Sequence, residues 1–199
     1  SWMWKRHAGF DVVTYKSGSP NITQFNHNLG RVPEMMWVKR MDGSGSWQVY
    51  HKGYNGGTNP EQYFLELNQN YAQDNGSRWN NTAPTSTHFS LGAVDTVNGA
   101  ASNNYEYIAL LFASVDGVSK VGSYDGTGSA LSITTGFQPR FLIIKSLTDA
   151  RNWQVLDTVR GWGAGVDYRM WLDLDQSQIN TENTGEPTST GFDLTGPNM

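Results

Sequence analysis

Pro33-Glu34-Met35-Met36-Trp37-Val38-Lys39-Arg40-Met41, the turn Asp42-Gly43-Ser44-Gly45, and Ser46-Trp47-Gln48-Val49-Tyr50-His51 form the stretch that decides the fold. Read as an extended segment, it sets Met35, Trp37 and Met41 on one side and Met36 and Val38 on the other. Both faces are apolar, so the pattern predicts a central strand buried on two sides. Proline has no N–H to give a ladder, so Pro33 can only begin such a strand. Trp47 and Val49 continue as the hairpin partner across the Asp-Gly-Ser-Gly loop.

The same plan returns 106 positions later. Pro139 answers Pro33, Lys145 answers Lys39, and Trp153-Gln154-Val155 answers Trp47-Gln48-Val49. Gly136 keeps that spacing from Gly30, whereas Val121–Tyr124 follows Val12–Tyr15 by 109. Trp171–Asp175 follows Phe64–Asn68 by 107, and Pro187, Phe192 and Leu194 follow Pro84, Phe89 and Leu91 by 103. The spacing drifts only inside polar loops, where insertions are tolerated. Such self-similarity reads as an internal duplication. We therefore expect an all-β chain of two tandem, similar β-sandwich-like units related by a pseudo-twofold, 1–116 and 117–199. Each would hold six or seven strands and no helix.

One strand is unmatched. Tyr105–Ala113, the most apolar run of the chain, closes the first unit, and nothing after Leu194 answers it. Trp2 and Trp4 precede Leu110 and Phe112 by 108, so residues 2–5 are expected to complete the second unit. The opening Ser1-Trp2-Met3-Trp4-Lys5-Arg6 lacks the basic-then-apolar order of a signal peptide and reads as the start of a fragment or processed product.

Composition supports the β reading and narrows function. Aromatic residues reach 13%, charged residues only 16%, and 22 glycines punctuate the apolar runs, which suits short strands joined by tight turns. The net charge of −4 comes without a basic run, so nucleic acid is not an expected partner. Zero cysteines exclude a disulfide framework and any Cys-ligated metal. No apolar run approaches the length of a membrane-spanning helix.

The motifs themselves carry a resemblance. Trp2-Met3-Trp4-Lys5-Arg6, His27-Asn28-Leu29-Gly30 leading to Pro33-Glu34-Met35 and Val38-Lys39-Arg40, and Ser46-Trp47 with Val49-Tyr50-His51 belong to it. So do Gly122-Ser123-Tyr124 and Gly136-Phe137 with Pro139-Arg140-Phe141 and Lys145. Together they resemble a domain of unknown function that recurs in virion proteins of tailed bacteriophages, marine and cyanobacterial phages among them, often in tail fibres. The likeness spans Trp2 to about Leu194 and brings no catalytic residues. It implies a viral structural protein at the particle surface, in a tail fibre or as a capsid decoration, made in the host cytoplasm. The implied role is structural and adhesive, the partners other virion proteins or a host-surface glycan, the state a homo-oligomer.

Candidate sites are few. Trp47 and Trp153 alternate with Val49 and Val155 and read as core more than as sugar-stacking rings. The loops His51–Gly57 and Asp157–Gly163 each set a cation and an aromatic beside glycines. Lys52, Tyr54, Arg160 and Trp162 are thus the candidate glycan platform, weighed against the plainer reading that these rings cover a sheet end. Length changes and polar character concentrate in the loops 52–60, 69–83 and 158–167, where any interaction surface is expected. Asp173 and Asp175 lack the glycine and ligand repeat of a calcium loop, and the four histidines show no i, i+4 pair, so no metal or cofactor is expected. Glu66 and Asp173, taken as equivalent positions, are the one carboxylate pair to weigh for glycoside hydrolysis. An enzyme is not expected; a carbohydrate-binding receptor-recognition module is the alternative, a glycan depolymerase the remoter one.

Overall fold

The structure, a computed structural model, describes residues 9–163 and 165–196. The expectation for residues 2–5 lies outside the described residues. Within them the chain is all-β, with no helix of seven residues or more and only short 3-10 turns between strands. It divides into two compact units: residues up to Leu67 with Gln73–Val115, and Asn68–Ala72 with the chain from Asp116 onward.

The first unit holds β1 (Phe10–Lys16), β2 (Gln24–Asn26), β3 (Met35–Arg40), β4 (Gln48–His51), β5 (Tyr63–Glu66), β6 (Asp74–Asn75), β7 (His88–Ser90) and β8 (Glu106–Phe112). Six of these make an antiparallel sheet in the order β1-β8-β3-β4-β5-β6, and β2 pairs with β7 in a separate ribbon. β3 is central, as the apolar pattern on its two faces predicts. Met36 and Val38 are buried on one side and Trp37 on the other. Pro33 lies two residues ahead of it, out of the ladder.

Register then distributes the core. Met36 stands opposite Tyr50 of β4 and Leu111 of β8, and Val38 opposite Ala109. With Phe64 they pack against Phe25 and Phe89 of the ribbon, and against Leu29, Trp79, Leu91 and Val97 from the loops. The result is a sandwich in which one large sheet face meets a small ribbon and its loops. Trp79, embedded in a polar segment, is fully buried, and its indole N–H donates to the Tyr63 carbonyl at 2.8 Å.

The second unit holds β9 (Leu131–Thr134), β10 (Phe141–Ile144), β11 (Gln154–Asp157), β12 (Asp167–Trp171), β13 (Ile179–Glu182), β14 (Gly185–Thr188) and β15 (Gly191–Leu194). β10 to β13 form one antiparallel sheet in chain order; β14-β15-β9 form another. Ile144 and Leu156 meet Trp162, Phe192 and Leu194 between them. Pro187 sits in β14, which has a single neighbour in its sheet, where a missing N–H costs nothing.

The two hairpins share one register. Met35 faces His51 and Phe141 faces Asp157; Val38 faces Gln48 and Ile144 faces Gln154. The repeated lysine has a local reason. Lys39 Nζ donates to the carbonyls of Arg40 and Gly43 at 2.8 and 2.9 Å, and Lys145 Nζ to those of Ser146 and Asp149 at 2.7 and 3.4 Å. Each ammonium thus gathers two carbonyls at the end of its hairpin strand and turn.

Two sequence alignments need correction. Glu66 stands opposite Gln48, and Trp171 opposite Gln154, so β12 follows β5 by 105 and not 107. The bond from Leu67 N to the Trp47 carbonyl recurs as Leu172 N to Trp153, which confirms that register. Residues 121–124 form no strand. β1 exists by pairing with β8, and among the described residues of the second unit no strand answers β8. The tryptophan pair also splits: Trp153 is buried at 5% exposure with its indole N–H on the Gln69 carbonyl, whereas Trp47 is half-buried.

Because Trp79 fills the centre of the first core, truncation to Ala is expected to cost about 3–5 kcal/mol. Urea unfolding followed by fluorescence measures it, and a loss under about 1 kcal/mol would mean the ring is not structural. Removing the turn ammonium with Lys39→Met should cost about 1–2 kcal/mol in the same assay, since two carbonyls lose a charged donor.

Candidate functional site

Glu34 occupies the position just before β3, where the ends of three strands converge. Its backbone N–H donates to the Phe112 carbonyl at 2.8 Å, and its carbonyl accepts from Lys52 N at 2.9 Å. Its side chain repeats the tie. Oε1 accepts from Lys52 Nζ at 2.5 Å, and Oε2 from Ser114 N at 2.6 Å and from the Ser114 hydroxyl. One residue therefore clamps the start of β3 to the chain leaving β4 and the chain leaving β8.

Above this clamp opens a cavity of about 440 Å³. Arg31, Tyr50, Lys52 and Ser114 line it together with Val32, Pro33, Ala83, Pro84 and Ala113. Arg31 Nη1 donates to the Ser114 carbonyl at 3.1 Å from an exposed position. Burial alone would push the Glu34 carboxyl up, but the hydrogen bonds from Lys52 and Ser114 outweigh it and hold the group below the ordinary carboxylate range. Burial, with Glu61 adding, pushes the Tyr50 phenol up to about 12, so it stays protonated near neutrality. No cluster of three metal-binding side chains exists among the described residues.

The residues expected to form a glycan platform are placed differently. Tyr54 is fully buried, its hydroxyl donating to the Val49 carbonyl at 3.0 Å, and Trp162 is buried against Phe192. Neither ring offers a face to a sugar. In both loops the glycines turn the aromatic inward to cover the end of a sheet, and only the cations, Lys52 and Arg160, stay near the surface. Lys52 is spent on Glu34, whereas Arg160 is exposed and donates from Nη1 to Gln178 Oε1 at 3.3 Å.

The proposed carboxylate pairing also dissolves into local structure. Glu66 Oε1 accepts from Gln48 at 3.0 Å, and Asp173 Oδ1 accepts from Trp153 N at 3.0 Å. Burial raises the Asp173 carboxyl, and burial lowers the Lys145 ammonium to about 8 while Asp173 and Asp149 pull it back up. Sequence reading passed over Glu34, Arg31 and Ser114. The available signal was the Pro-Glu step at the head of the central strand, with Ser114 directly after the longest apolar run.

An all-β, loop-rich protein with two sandwich-like units and one clamped cavity is the class that the fold and site define. The chain belongs to the family described as a domain of unknown function, DUF7483, whose family model matches residues 4–198. No curated protein and no solved structure matches it.

The clamp has a sign-defined pH signature. A carboxyl held low in the folded state stabilises above its unfolded value, and that stability is lost as pH falls through the folded one. Glu34→Gln should therefore lower the unfolding free energy by about 1–2 kcal/mol at pH 7. The gap between variant and parent should close as the medium is taken below pH ~4, toward the folded value. Equal gaps at both ends of a thermal-melt pH series would refute the clamp.

Proposed function

We propose that this protein is a non-enzymatic structural and adhesive component of a bacteriophage particle surface, in a tail fibre or as a decoration of capsid or tail. The observation that carries the non-catalytic part is the state of Glu34. It is the one carboxylate lining the cavity, and both of its oxygens are held by Lys52 and Ser114. A general acid or base must be free to exchange a proton with a substrate. Glu34 instead joins three strand ends, which is structural work.

The phage setting is supported by the motif likeness from Trp2 to Leu194. Two units built on one hairpin register, which we read as products of an internal duplication, suit a rigid β scaffold that presents loops outward. Mass spectrometry of purified particles should find the chain at a fixed copy number, and trypsin should release loop peptides from intact particles. Its absence from purified particles would overturn the reading. Reducing-end release from capsular polysaccharide would favour the depolymerase instead.

A further inference from the structure

We propose that the surface built by Gly161, Tyr168, Arg160 and Val159 is a binding site for saccharides that carry a carboxylate. It goes beyond the structural role and does not depend on where the protein resides.

The site begins with the turn after β11. Thr158–Arg160 forms a 3-10 turn capped by Asp157, whose Oδ1 accepts from Val159 N at 2.8 Å. Gly161 then leaves the turn at φ +109°, in the left-handed region. A Cβ there would stand 2.7 Å from Cδ2 of Tyr168 and 3.4 Å from Cε2. Glycine is thus required twice, by the backbone and by the ring that rests against it. Tyr168, reaching over from β12, is seated on bare backbone and keeps 38% of its surface exposed. Val159, two residues before Gly161, is 70% exposed.

The same turn that buries Trp162 therefore presents a different ring. A phenol braced from below and open above gives a flat apolar surface, which suits the C–H face of a pyranose. Arg160 supplies the polar partner. One N–H of its guanidinium is on Gln178 Oε1, and among the described residues no carboxylate lies within ion-pair distance of it. Guanidinium presents a planar fork that matches a carboxylate better than a hydroxyl, so the site selects acidic over neutral sugars. A ring resting on Gly161 and a cation from the residue before it define one occupant, a uronic or sialic acid unit.

The test uses the full chain with trigalacturonate and sialyllactose, and with maltotriose and lactose as neutral counterparts, in titrations read by NMR or calorimetry. The parent should bind an acidic probe more tightly than its neutral counterpart. Arg160→Gln should weaken acidic binding about tenfold and erase the preference. Tyr168→Ala should weaken it several-fold while Tyr168→Phe retains it, since stacking needs the ring and not the hydroxyl. Both positions are exposed, and an unchanged melting temperature confirms that each variant folds. The proposal is overturned if the parent shows no binding at about 10 mM of either acidic probe. It is also overturned if binding is indifferent to charge or survives in both Arg160→Gln and Tyr168→Ala. Particle composition is measured separately, so failure here leaves the structural reading standing, and the reverse holds too.

Discussion

A slip of one residue between β3 and β4 would turn the first unit inside out. Side chains alternate faces along a strand, so moving the register by one exchanges the whole set that faces the core. Met36 opposite Tyr50, and Trp37 opposite Val49, are the pairs that hold it. Glu34 fixes the same register from the end. Its backbone bonds place it between Phe112 and Lys52, and its carboxylate ties the chains leaving β4 and β8 to the head of β3. Once that is set, β8 lies along β3, β1 along β8, and the inner face finds Phe25 and Phe89 of the ribbon.

The second unit keeps the register and changes the means. The backbone bond from Lys52 to Glu34 recurs from Thr158 to Arg140 at 3.0 Å, but these side chains are not an acid and a base in matching places. The equivalent glutamine, half-buried here but fully buried in the first unit, is met differently too. Gln48 is held by Glu66, with Arg78 at 3.4 Å, while Gln154 meets Arg169, which also pairs with Glu182 at 3.0 Å. An amide withdrawn from water needs partners, and the two units recruit them from different strands and loops. Asp167 does a further task without a counterpart in the quoted motifs. It accepts from Gly163, Thr184 and Gly185 N–H groups and so pins the loop before β12 to the chain before β14.

These loop contacts bear on function. Glycine-rich turns after equivalent strands allow two placements of their rings, a glycan platform or a cover for the sheet end. In both, the ring turned inward, because an aromatic beside an open sheet end removes more apolar surface from water by covering that end than by standing free. What reaches the surface is a ring from the neighbouring strand. Tyr168 rests against Gly161, where no side chain would fit, and Arg160 is exposed with no described carboxylate within ion-pair distance.

The hairpins were legible from the chain alone. Period-two alternation, a proline ahead of β3, the Asp-Gly-Ser-Gly turn and the repeated lysine all act between residues close in sequence. The all-β class and the central strand follow from them. The alignment of Trp171–Asp175 with Phe64–Asn68 is off by two positions, since a slip by an even number preserves the alternation and leaves no local trace. Whether Tyr54, Trp162 or Tyr168 would be the exposed ring, and that Glu34 would find Ser114, 80 residues away in the chain, was decided only in three dimensions. A pattern along one strand specifies which residues share a face. What covers that face, and which charge is left without a partner, depends on segments that meet only after the chain has folded.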